Sequence, residues 1–371
     1  MSDSEKIHFY NNRELKHTTF HEARKYGYRY QDFENEKLIK EVHYEVEINC
    51  RTRNTYNDFV YEINRKQVYI NNQEPDLLVE QMLDKCSKAL FPIKIIPAAD
   101  GTLYEIDNHD EIVKRWESLK NQLASYYYSE VAYKILNKVQ KLILNKQELE
   151  KSLNQDWFFH LHFSPLYIEY PLEKAQTYNW KSPIFGNQSI AYKTDHTIVE
   201  NYTATNKIII NAKGKSADER SIDEVVQGID YPQAKLIGKP YTILESEMEV
   251  QYKLYGEDRS LFSIIATYTT KISESKNKIQ KIGLYHLVED EDFRPNSDIK
   301  SRRAQQQFQN FQTMGDEDII DLSKRLRNDF PHPQTDTIKK PQETISLFVD
   351  EIPTVQRKSS LEKFLGMFKK K

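Results

Sequence analysis

Residues 242–254 alternate without a break. Leu244, Ser246, Met248, Val250, Tyr252 and Leu254 fall on one side, and Glu245, Glu247, Glu249, Gln251 and Lys253 on the other. Successive side chains of a strand point to opposite faces, so a period of two over this length is that of a half-buried β-strand. Gly256 turns the chain, 260–271 returns, and the SESKN segment turns it again into 278–288. The spacing predicts a three-stranded antiparallel meander.

The same alternation opens the other half of the chain. Tyr44, Val46, Ile48 and Cys50 oppose His43, Glu45, Glu47 and Asn49 within 40–51, and further strands are predicted at 58–64, 67–71, 92–98 and 102–107. Helices interleave. Pro75 suits a first helical turn, and Leu78, Met82, Cys86 and Leu90 follow every four residues. Asn108 reads as an N-cap with Asp110 and Glu111 in the first turn, followed by an apolar stripe of Ile112, Trp116, Leu119, Leu123 and Tyr126. Ser129 caps a second stripe, Ala132, Ile135, Leu136, Val139, Leu142 and Ile143, and a shorter helix is expected over 147–155. The run DWFFHLHFSPLYIEYPL (156–172) reads as extended, buried chain. Beyond 187, SIAYK, TIVENYT and NKIIINAK read as strands, and 221–227 as one or two helical turns.

The expected class is therefore α+β: antiparallel sheet in a meander arrangement packed by amphipathic helices, with a mostly unstructured C-terminal tail. Five stretches are expected. Residues 1–37 form an extended or disordered arm, with seven basic and seven acidic residues and enough Tyr and Phe to drape on a surface. An α+β region spans 38–164, and a mainly antiparallel β region at 165–290 packs with it. A charged helical or linker segment follows at 291–334. Residues 335–371 are a flexible tail.

Glycine spacing closes several routes to catalysis. The 371 residues hold only ten glycines, and the nearest two, Gly228 and Gly238, are ten apart. Dinucleotide fingerprints, P-loops and G-x-S-x-G elbows all need glycines two to five residues apart, so none is present. No cofactor is expected. Cys50 and Cys86 read as small buried hydrophobes, since no C-x-x-C exists. The N-terminus lacks an apolar h-region, and no run approaches a membrane span. The expected location is the cytoplasm, with peripheral attachment at the inner membrane surface as an option. Usage rich in Lys, Asn, Ile and Tyr suggests an AT-rich bacterial genome.

Few residues suggest chemistry. In a strand, His160 and His162 project from one side and can hold a metal, but zinc needs three or four ligands and no local residue supplies the rest. A structural strand face is the simpler reading. Glu245, Glu247 and Glu249 read as the wet side of a sheet rather than acid–base carboxylates. Tyr126, Tyr127 and Tyr128 read as a helix end rather than a stacking platform. No concentrated basic patch marks the body, which argues against nucleic acid.

The tail carries the most specific pattern. Ser360 can cap a helix in which Leu361, Phe364, Leu365 and Phe368 share one face, and Lys369, Lys370 and Lys371 follow. Residues 357–371 hold six basic groups and one acidic, a local +5; removing it from the total of −3 leaves −8 on 1–356. A segment of this kind folds when a protein groove or an anionic membrane surface covers its apolar face. Ile345, Leu347 and Val349 alternate before Pro353 and can add a strand to a partner's sheet. The first functional expectation is a non-enzymatic adaptor, scaffold or chaperone-type subunit that binds protein partners through its tail. A carrier of a lipid or other apolar ligand in a sheet-and-helix cavity is the alternative. A metal-dependent hydrolase with a non-local site is the third.

Overall fold

The computed structural model describes residues 5–9, 13–18, 20, 22–52, 59–171, 175–186 and 188–287. Strands β1 (Arg24–Glu34), β2 (Lys37–Thr52) and β3 (Phe59–Ile70) form a meander, and α1 (Leu78–Ser87) leads to β4 (Ile93–Pro97) and β5 (Leu103–Ile106). Four helices follow: α2 (His109–Tyr126), α3 (Glu130–Leu144), α4 (Lys146–Leu153) and α5 (Trp157–His162). The chain re-enters the sheet at β6 (Gln176–Phe185), β7 (Gln188–Ile198) and β8 (Lys207–Ser216). It then makes α6 (Ile222–Gln227) and α7 (Gln233–Leu236), and closes with β9 (Ser246–Tyr255), β10 (Leu261–Ser273) and β11 (Lys276–His286).

All eleven strands belong to one antiparallel sheet, ordered β5-β4-β3-β2-β1-β11-β10-β9-β8-β7-β6. This is an α+β fold. Strands β5 and β6 are the sheet's opposite edges. The segment between them must cross the sheet, and α2–α5 make that crossing over one face. Residues 24–34, within the stretch read as a draped arm, form a central strand: β1 pairs with β2 on one side and β11 on the other. Reciprocal bonds between Asn35 and Asn277 tie the two adjoining turns together (Asn35 N to Asn277 O, 2.7 Å; Asn277 N to Asn35 Oδ1, 2.8 Å).

The inward face is rich in tyrosine. Tyr26, Tyr28, Tyr30, Tyr44, Tyr192, Tyr252 and Tyr268 are all buried. Each ring supplies apolar area, and a buried phenol also needs a polar partner. Tyr26 donates to the Leu261 carbonyl at 2.7 Å, Ser164 donates to Tyr252 at 2.9 Å, and Gln280 donates to Tyr30 at 2.7 Å. Glu247 and Glu249 on the outward face of β9, and Glu245 just before it, point away from the core. They are exposed and pair with Lys271, Lys215 and Lys213 on neighbouring strands. These carboxylates form a solvated charge ladder.

Several sequence expectations need correction. The predicted strands 58–64 and 67–71 are one strand, β3, broken by a bulge. Tyr44 pairs with Val68 and Val46 with Arg65, so Lys66 and Gln67 together oppose Glu45. The extra residue switches the inward positions of β3 from Tyr61 and Ile63 to Val68 and Ile70, and that change of parity looks like a strand break in the sequence. The run after Asp156 is not wholly extended: its first part is α5. A short continuous apolar run carries no period to separate strand from helix. What starts the helix is Asp156, whose Oδ1 accepts from the N–H groups of Phe158 (2.9 Å) and Phe159 (3.3 Å).

Other caps divide. Ser129 accepts from Ala132 N at 3.1 Å as expected. Asn108 flanks α2 but does not cap it. Its Oδ1 accepts from Lys94 N at 2.8 Å and its Nδ2 donates to the Pro92 carbonyl at 3.0 Å, so it pins the helix start to β4. Ser221 and Glu224 form a full capping box at α6, which ends on Gly228 at φ 79°, a conformation glycine adopts without strain.

Candidate functional site

Arg65, a charged residue, follows Tyr61 and Ile63 at a period of two and so lies on the inward face of β3 just before the bulge. Its guanidinium lies over the rings of Tyr44 and Phe91, with centroid distances of 5.5 and 5.2 Å. It donates to Asp84 of α1 at 3.1 Å and also to Ser87. A cation on the core side of a sheet needs such partners, because unpaired burial costs several kcal/mol. The Arg65 Nε is buried with no hydrogen-bond partner.

Two pockets meet at this point, between β1–β3 and the helices. The inner one holds about 120 Å³ and is walled by Val46, Ile63, Cys86, Val139, Leu149 and Leu153 among others. The outer one holds about 290 Å³ and opens past Lys40, Pro75 and Glu80. They share Tyr44, Arg65, Ser87 and Asp156 in their walls. The outer volume is near the lower end of small-molecule sites, and the inner one resembles cavities that accept a benzene-sized group (~150 Å³). Exposed Leu38, Ile39, Leu77 and Leu78 adjoin the mouth residues Lys40, Pro75 and Glu80 in the chain.

Asp156 is the polar centre of the cleft. It lines both pockets and is exposed to solvent. Desolvation by the protein around it raises its pKa, and the N–H groups of Phe159 and Phe158 and the charge of Arg65 oppose that rise. Tyr28 and Tyr44 are stacked with centroids 4.5 Å apart, and the Asp156 charge helps push both phenols above their ordinary range after burial itself. Trp157, next in the chain, lies against Tyr268 and Tyr30 at 4.8 and 6.5 Å. A perturbed carboxylate lining a cleft makes it a candidate functional site.

Because α5 is a helix, His160 and His162 diverge by about 200° at 100° per residue, and they do not form the pair a strand would make. Trp180 Nε1 donates to His160 Nε2 at 2.8 Å. His162 stacks on Phe158 and lines a separate 460 Å³ pocket with His17, Tyr61 and Tyr167. Burial lowers the pKa of His17 to about 4, and those of His160 and His162 to about 3. Among the described residues, no group of three or more His, Cys, Asp or Glu could hold a metal ion. Cys50 and Cys86 are free and buried, with thiols pushed up to about 12, so both are protonated and inert at neutral pH. Tyr126 and Tyr128 are 69% and 88% exposed at the end of α2, while Tyr127 is buried and Lys85 donates to its hydroxyl at 3.0 Å.

A larger concavity, an open groove of 960 Å³ beside β6–β7, is of a different kind. Lys138, Lys141, Lys151 and Lys181 share it with Glu148, Glu219 and the bonded Arg220–Asp218 pair, so the groove is wet and its charges are mixed. The tail residues Ile345, Leu347, Val349, Leu361, Phe364, Leu365, Phe368, Lys369, Lys370 and Lys371 lie outside the described residues. Within the described residues no helix is long and apolar enough to cross a membrane.

Sequence missed this site for two reasons. Its acid caps a helix that the apolar run disguised, and its cation, in phase with Tyr61 and Ile63, sits in a stretch otherwise polar, Asn64 to Gln67. The available signals were the lone Arg65 between apolar positions of β3 and the Asp before WFF.

No family model matches the sequence, and no curated protein matches it. Among solved structures, the chain resembles one titled "Lipid-protein interactions in lipovitellin", with a TM-score of 0.35 and 12% identity. The match covers 71% of this chain and 25% of that one, so the chain spans about a quarter of the protein it resembles; a TM-score this low establishes neither a shared fold nor a shared role.

Proposed function

We propose that the protein carries a small amphiphile in the cleft between its sheet and its helices. One observation supports this reading above the others: a largely apolar inner pocket adjoins a wider outer one whose walls also carry Lys40, Glu80, Asp84 and Gln280. A carrier needs such a pocket, dry at one end and wet at the other, while a rigid core has no use for the unfilled volume. Titration of the full chain with the neutral dye N-phenyl-1-naphthylamine tests it. Saturable fluorescence at one site per chain is expected, and Val139→Phe, which fills the inner pocket, should abolish it. An absence of saturable binding, together with a clean unliganded mass in native mass spectrometry, overturns the reading.

A second reading, docking through the C-terminal segments, rests on the spacing of Leu361, Phe364, Leu365 and Phe368 and on the contrast between a +5 tail and a −8 body. Protein partners or an anionic membrane surface suit that pattern. Deleting 355–371 should remove specific partners from a pull-down or reduce membrane co-sedimentation. If neither changes, the tail has no docking role.

A further inference from the structure

We propose that the chain has a second ligand site, the 460 Å³ cavity that His17 and His162 line, and that it takes a neutral aromatic hydroxyl compound of phenol size. The cavity shares no wall residue with either pocket of the carrier cleft. Its volume falls within the range of small-molecule sites (~300–1,000 Å³). Its hydrogen-bonding capacity is unspent. Among the described residues His162 makes no hydrogen bond through either ring nitrogen. Its Nδ1 is shut in, which leaves Nε2 to meet a ligand. His17 joins its Nε2 to the Tyr61 hydroxyl at 2.7 Å and has no partner at Nδ1. Polar groups enclosed by protein normally have partners, because a bare one has lost its water for nothing.

The walls fix the chemistry of the occupant. Phe20, Phe59, Phe163 and Tyr167 offer ring surface to another ring. Burial keeps both imidazoles neutral. The charged side chains in the wall, Glu14 and Lys16, pair with each other at 3.3 Å. Neither a carboxylate nor an ammonium therefore finds a counter-charge here, and either loses its hydration on entry. A neutral imidazole has one N–H and one bare nitrogen, and the tautomer decides which of them is Nε2. A hydroxyl both donates and accepts, so it serves His162 in either tautomer, whereas a ketone or an ether serves only one.

Calorimetric titration of the full-length protein with p-cresol, toluene and p-toluate separates these effects, since the three share a ring and a methyl group. The cresol should bind about fivefold more tightly than toluene, the net worth of one hydrogen bond, and the ionised toluate should bind most weakly. Imidazole NMR places the ligand: the His162 signals should shift on saturation with p-cresol. His162→Phe keeps a ring and removes both nitrogens, so p-cresol should fall to the level of toluene. Val139→Phe, which fills the inner pocket of the other cleft, should leave p-cresol binding unchanged. The proposal is overturned if toluene binds as tightly as p-cresol, if p-toluate binds best, if none of the three binds, if the His162 signals stay still, or if folded His162→Phe keeps the preference for p-cresol. The wild-type ranking and the NMR shift decide even if that variant does not fold. Loss of binding in Val139→Phe also overturns it, by placing the ligand in the carrier cleft, and leaves the carrier reading standing.

Discussion

Acid should unfold this protein well above the carboxylate range. Five imidazoles, His17, His160, His162, His196 and His286, are held neutral by burial, with pKa values lowered to about 3 or 4. In the unfolded chain each titrates near 6.5. A base depressed in the folded state favours folding above its unfolded pKa, and that stability is lost as pH falls below 6.5 toward the folded value. Between pH 7 and 5.5 each such imidazole costs ~1.2 kcal/mol, because the unfolded chain takes up nearly a full proton that the folded one refuses. The result barely depends on the folded pKa so long as it lies below about 4.5. Five together cost about 6 kcal/mol, comparable with the whole stability of a typical domain, about 5–15 kcal/mol. The raised carboxyls of Glu80 and Asp156 work in the opposite sense, but only as pH falls below their folded values. Urea unfolding followed by circular dichroism at pH 7.5, 6.5 and 5.5, at constant ionic strength, measures the loss. His160→Gln should shrink it by ~1.2 kcal/mol. A total change under about 2 kcal/mol, or folded-state imidazole NMR signals titrating near 6.5, would refute the reasoning.

Other outcomes follow from particular contacts. Leu153→Ala removes a buried wall of the inner pocket where the surroundings already fail to collapse, so a loss of about 3–4 kcal/mol is expected, and octanol at a hundred times its Kd should restore ~2.7 kcal/mol; a loss below about 1 kcal/mol in urea unfolding speaks against the pocket. Asp156→Ala should be ~1 kcal/mol less stable than Asp156→Asn, since only the former loses both α5 caps, and equal denaturation midpoints would contradict that. Arg24 bonds Asp258 at 2.6 Å while lying between the rings of Phe20 and Tyr255, so Arg24→Lys should cost ~2 kcal/mol, and a thermal midpoint within a degree of wild type would count against the stacked pair. Gly101→Ala should destabilise measurably, because the residue has φ 97° and an added Cβ would approach the Tyr167 ring to 2.8 Å; an unchanged melting curve is the contrary result.

Much of the fold was legible because its signals are local. The alternation through Leu244–Leu254 and Tyr44–Cys50 marks β9 and β2, and the stripe from Ala132 to Ile143 marks α3 with its Ser129 cap. These patterns need only the geometry of a single element. The misreadings arose where a neighbour decides. Asn108 has the chemistry of an N-cap, but β4 takes its side chain. The WFFHLH run has no period because it is covered nearly all round. β3 reads as two strands because its bulge exists only against β2.

The sequence by itself determined the α+β class, the absence of the common glycine loops, and the division between an acidic body and a basic, apolar tail, since each depends on residue type and spacing alone. Tertiary structure decided that β1 and β11 join two meanders into one sheet, that the bulge after Arg65 resets the inward positions of β3, and that Asp156 borders a cleft. Those outcomes depend on strand pairing across some 250 residues and on which helix lies over which strand, and no local pattern encodes either.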